Sequence, residues 1–126
     1  MPISFKIDKD RRLVMGFGSG VVTKEDMLAG REQLLKDPDF DPSFSLLQDY
    51  TQIAESTITP DDVRQLARTS IYSPASRRAL VMKDDASFGL ARMFETHREL
   101  GGHTGVRIFR NIDEALDWVL AKDAVT

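Results

Sequence analysis

The sequence predicts an α/β protein, a mixed, mostly parallel β-sheet with helices in the element order ββαβαβαβα. Three observations carry that expectation. Two short segments of alternating apolar and polar residues open the chain with a polar turn between them, as in a hairpin. Helix-start signals then recur, each followed by apolar residues at helical spacing and separated from the next by a short apolar run. The stretch FSLLQDY, residues 44–50, is apolar at consecutive positions, which suits a strand flanked on both sides and covered on both faces.

Taken in order, Ile3, Phe5 and Ile7 alternate with Ser4, Lys6 and Asp8, and Asp8 to Arg11 is polar enough to turn. Leu13 to Phe17 returns as the partner strand. Gly16, Gly18 and Gly20 mark its exit toward a helix; their G-x-G-x-G spacing, with Val21 and Val22 before the cap, departs from a dinucleotide loop and reads as close backbone packing. Thr23 with Asp26 resembles a capping box, so a helix should run from Lys24 to Lys36 with Met27, Leu28, Leu34 and Leu35 inward. Asp37-Pro38 stops it, and FSLLQDY then runs into a polar loop, TQIAEST. Thr59 caps a second helix, with Pro60 in the first turn, Asp61 and Asp62 on the dipole, and Val63, Leu66, Ala67 and Ile71 inward.

Ser73-Pro74 breaks that pattern, and Ala79 to Met82 reads as a short buried strand. Asp84-Asp85 opens a third helix reaching Leu100, closed by Gly101-Gly102 in the manner of a left-handed C-cap. Val106, Ile108 and Phe109 supply the last strand. Asn111 with Glu114 then starts a helix whose inner face is Ile112, Ala115, Leu116 and Val119.

At 126 residues the chain has the size of one domain, and no linker or repeat divides it. A net charge of −3 supplies no global attraction for nucleic acid. There is no cysteine, hence no disulfide, thiolate nucleophile or sulfur-ligated metal. No apolar run has the length of a membrane span or signal segment, so a cytoplasmic location is expected.

The order of elements resembles the STAS fold, named for sulphate transporters and anti-sigma-factor antagonists, and the related CRAL-TRIO-type lipid-binding domains. More particularly, GVVTKEDML, LLKDPDFDPSFSLLQDY, SRRALVM, FGLARMFE and VRIFRNIDEALDWV are similar to small bacterial SpoIIAA-like proteins of unassigned function, grouped with STAS-like domains. The resemblance implies a STAS-like fold over residues 1–126. STAS antagonists carry an Asp-Ser-x-Gly type motif whose serine is a phosphorylation switch. Here the corresponding place reads Asp49-Tyr50-Thr51-Gln52, with the aspartate but neither serine nor glycine. Ser56, Thr57 and Thr59 lie nearby, but Asp61 and Asp62 would repel an added phosphate.

No motif for catalysis, a metal or a cofactor is present, and the acids at helix starts complement the dipoles that would otherwise draw anions. His97 is expected on the inner face of the third helix with Ala86, Leu90, Met93, Phe94 and Leu100, and His103 in a solvated turn. Phe88 and Trp118 project away from their helices' inner faces. With Tyr50 and Tyr72 at element ends, an aromatic-lined crevice at the carboxyl edge of the sheet is expected. Arg64, Arg68, Arg77 and Arg78 read as one solvated basic patch. These features favour a non-catalytic module acting through a protein partner or self-association, with a carrier or sensor of a small apolar or lipid-like ligand as the alternative. The candidate surface for either is Tyr50, Tyr72, Phe88, Met93 and His97.

Overall fold

The computed structural model describes residues 2–103 and 105–121. Its elements are β1 (Ile3–Asp8), β2 (Leu13–Val22), α1 (Lys24–Lys36), β3 (Ser45–Ser56), α2 (Pro60–Leu66), β4 (Arg78–Val81), α3 (Asp85–Leu100), β5 (Val106–Phe109) and α4 (Ile112–Leu120), the order read from the sequence. They form a five-stranded sheet in the order β1-β2-β3-β4-β5. β1 pairs antiparallel with β2, and every later pairing is parallel. The strand through Leu46 and Leu47 is central, with Leu46 opposite Val14 on one side and Arg78 on the other.

Side chains alternate across a strand, so each strand serves two layers. Among the described residues one face meets only α4, and Leu13, Leu47, Ala79, Val81 and Phe109 close on Ala115 and Val119 there. The opposite face meets α1, α2 and α3; Val14 packs with Leu34 and Phe44, while Met82, Val106 and Ile108 pack with Ala91.

Helix starts follow the residues that cap them. Thr23 and Thr59 each accept from the backbone N–H three residues on, and Asp26 and Asp62 return the bond to the cap's own N–H. Asp84 accepts from the Ser87 N–H at 2.7 Å, a bond that holds its carboxyl below the ordinary range, and Asn111 accepts from the Glu114 N–H at 3.0 Å. Gly102, at φ +88°, takes the left-handed conformation beyond the end of α3. Thr23→Ala leaves the Asp26 N–H of α1 without its acceptor; urea denaturation should read a loss of about 1 kcal/mol.

Several sequence expectations need correction. β2 does not end at Phe17 but runs on to Val22 with the glycines inside it, and β3 absorbs most of the loop expected at TQIAEST. The two extended halves pair with each other, Ser19 with Gln52 and Val22 with Ser56, so polar backbone that would have been loop is satisfied as sheet. The inward side of α1 carries Gly30 and Leu34, with Leu28 and Leu35 at 43% and 58% exposure. Gly30 sits there because a Cβ would lie only 3.1 Å from the Phe5 ring beneath it. α2 stops at Leu66, leaving Ile71 in the following loop. No helix among the described residues is long and apolar enough to cross a membrane.

Candidate functional site

The layer under α1–α3 is incompletely filled. A cavity of roughly 170 Å³ lies between the sheet and these helices, of the same order as the ~150 Å³ known to admit a benzene-sized ligand. Gly16 and Gly18 help to make it. They stand on the inner face of β2, and a Cβ at Gly16 would collide with the Gln48 side chain, while one at Gly18 would lie 2.6 Å from the Tyr50 ring. Two large β3 side chains therefore lie over a strip of bare backbone and line the cavity. Gly18→Val should push Tyr50 from this seat, lowering stability by about 1–3 kcal/mol in urea denaturation.

The walls are mainly apolar, with Phe5, Leu46, Leu80, Met82, Leu90 and Phe94 contributing from strands and helices. Burial pushes the Tyr50 hydroxyl up to about 12, against a smaller opposing pull from Arg31. Tyr72 is pushed up as well, chiefly by burial. Both are neutral hydroxyls at physiological pH and can donate a hydrogen bond.

Toward the N-terminal end of β4 the cavity's polar character becomes cationic. Arg78, only 4% exposed, begins β4 on the face shared with Leu80 and Met82. Arg31 reaches in from α1, donating to the Leu66 carbonyl at 2.9 Å, and Arg98 from α3 donates to the Ala67 carbonyl at 2.8 Å. Those carbonyls end α2, where free acceptors and the negative pole of the helix favour a cation. Arg31 and Arg98 thus have a structural reason for their places. Burial lowers the proton affinity of all three guanidiniums, and the charge of Arg98 adds to the effect on Arg31 and Arg78.

Arg78 has no such account. Its Nη1 donates to the Ser70 hydroxyl at 3.3 Å, while Nε and Nη2 are buried without an acceptor among the described residues. The Tyr72 hydroxyl and Gln48 Nε2, in the same lining, also lack one. Each of these groups is a donor, and the described residues of the lining include no carboxylate, imidazole or thiol.

Of the residues singled out in the sequence, Tyr50 and Tyr72 meet at this cavity, and Ser56 lines it too. Phe88, Met93 and His97 do not line it. Phe88, expected to be exposed, packs beside Met82 and Ile108 under the Arg110 guanidinium, 4.3 Å from its ring centroid. The buried positions of α3 are Ala91 and Arg98, with His97 half-buried beside them and Leu100 80% exposed; an arginine displaces the expected stripe because α2 offers it a carbonyl. Trp118 lies against Phe109, with ring centroids 5.7 Å apart. His103 is half-buried where a solvated turn was expected, and Thr104 of that turn lies outside the described residues.

The four arginines read as one patch also separate. Arg64 pairs with Asp61, Arg77 donates to the Trp118 carbonyl ending α4, and Arg78 points to the opposite face of the sheet. Arg78 was legible in principle, since it shares the alternation of Leu80 and Met82. Asp49-Tyr50 lies within β3 and not at its junction with α2, and Asp49 accepts from the Thr51 N–H and hydroxyl at 2.8 and 2.6 Å.

Sheet order, a single antiparallel edge strand and helices divided between the two faces define an α/β protein of SpoIIAA-like fold. The chain matches the crystal structure of an uncharacterized protein of the DUF3478 family with a SpoIIAA-like fold, from Shewanella loihica PV-4. The TM-score is 0.57 and the identity 18%, over 93% of each chain. No protein-family model matches the sequence, and no curated protein does.

Proposed function

We propose that this protein is a non-catalytic binding module, a carrier or sensor that holds a small, largely apolar molecule between its sheet and α1–α3. The observation that carries this reading is the cavity itself, walled by aliphatic and aromatic side chains and large enough for one ring or a short chain. A lining without carboxylate, imidazole or thiol among the described residues supports binding over turnover. Titration with toluene, followed by ¹H–¹³C methyl and aromatic NMR, should perturb Leu80, Phe94 and Tyr50 together. Perturbations absent at saturating toluene, or confined to the outer surface, would end this reading.

Association through protein contacts has separate support in α1. Leu28 and Leu35, two turns apart on one side of the helix, are 43% and 58% exposed. Light scattering after size exclusion tests it, and a strict monomer at high protein concentration counts against self-association.

A further inference from the structure

We infer that the molecule held in the cavity is a monoanionic amphiphile, a carboxylic acid bearing one ring or a short chain, with its carboxylate on Arg78 and Tyr72. This inference rests on the binding reading above and adds the chemistry of the head group.

The site as it stands carries a cost. A buried guanidinium is ordinarily satisfied by a carboxylate or by carbonyls, because two N–H groups without acceptors forfeit their hydration with nothing in return. Arg31 and Arg98 follow that rule by closing the end of α2. Arg78 breaks it, at 4% exposure, and no ion pair reaches it among the described residues.

The two open donors are neighbours on the guanidinium, with Nη2 beside the Gly105 backbone. Nε and Nη2 form one edge of the guanidinium, and their N–H bonds run parallel at the spacing of two carboxylate oxygens. Tyr72 lies close enough to Arg78 for the two to interact electrostatically, and its unpartnered hydroxyl supplies a further donor. Arg31 and Arg98 add positive charge nearby, with no carboxylate paired to either among the described residues. Arg31 and Arg78 in the lining, with Arg98 near enough to interact with both, make the field here positive in a protein of net charge −3.

The rest of the cavity defines the tail. From Arg78 the inner face of β4 continues through Leu80 to Met82, opposite Phe94 and Leu90 of α3, a path of apolar side chains along the strand. A phosphate dianion would require more donors than this edge offers, whereas a single carboxylate with an apolar body fits both ends.

The test compares three probes of one size by calorimetric titration: phenylacetate, 2-phenylethanol and 2-phenylethylammonium. Phenylacetate should bind about tenfold to a hundredfold tighter than the alcohol, as a charge-assisted pair implies, and the amine weakest. Arg78→Met should abolish the preference for acid over alcohol while leaving alcohol binding in place. Arg78→Lys keeps the charge without the fork and should lose most of the preference; Tyr72→Phe should lose a smaller part. Thermal unfolding of each variant confirms that it is folded. Equal binding of acid and alcohol by the wild type overturns the carboxylate assignment and leaves the carrier reading intact. Binding of none of the three overturns both.

Discussion

Arg78→Met should make the protein more stable, by about 1–3 kcal/mol in urea denaturation. Methionine has a comparable reach along the inner face of β4 and meets the same apolar neighbours, Leu80 and Leu46, without bringing a charge that lacks an acceptor. Replacing a buried ionic group by a hydrophobe of similar volume is commonly neutral or stabilising, and here the usual compensation for the ion is missing. The gain should come with loss of the preference for acid over alcohol, the pattern expected where a residue is kept for function against the interest of the fold. Ligand linkage gives the converse. At a hundred times its wild-type dissociation constant, phenylacetate should raise wild-type stability by about 2.7 kcal/mol and that of the variant, which binds it tenfold to a hundredfold more weakly, by only about 0.4–1.4 kcal/mol. A variant less stable than the wild type would mean that the guanidinium is satisfied in solution, and the case for a missing anion would fail.

The second large effect lies in the other layer. Leu13→Ala should cost about 3–5 kcal/mol, because Leu13 is fully buried where the sheet meets α4 and its neighbours Leu47, Ala79 and Val81 are fixed by strand register. Leu80→Ala, on the half-buried cavity side, should cost only about 1–2 kcal/mol, since less apolar surface is withdrawn from water at that position to begin with. Chemical denaturation of the two variants under one condition measures the contrast. Equal losses would mean that the two faces of the sheet are packed alike and that the cavity closes in solution.

Much of the architecture was readable from local pattern. Thr23, Thr59 and Asn111 placed three helix starts, and FSLLQDY placed the central strand, because caps and side-chain period act over a few residues. Boundaries failed where pairing partners decided them: TQIAEST reads as a loop until the second half of β2 lies beside it. The candidate site was half legible. Tyr50 and Tyr72 were named for their chemistry, whereas no local pattern singled out Arg31 and Arg98, whose places depend on the carbonyl end of α2 lying between them.

The sequence by itself determined the order of elements, the hairpin at one edge and the parallel run through Leu46 and Leu47, since periodicity and capping are properties of neighbouring residues. Tertiary structure alone decided that α4 stands apart from the other three helices, that Gly16 and Gly18 face Gln48 and Tyr50, and that Arg78 is enclosed with no acceptor for Nε and Nη2 among the described residues. Those facts depend on which distant segments lie side by side. Burial converts an ordinary arginine from a surface charge that water satisfies into one whose open hydrogen bonds are costly.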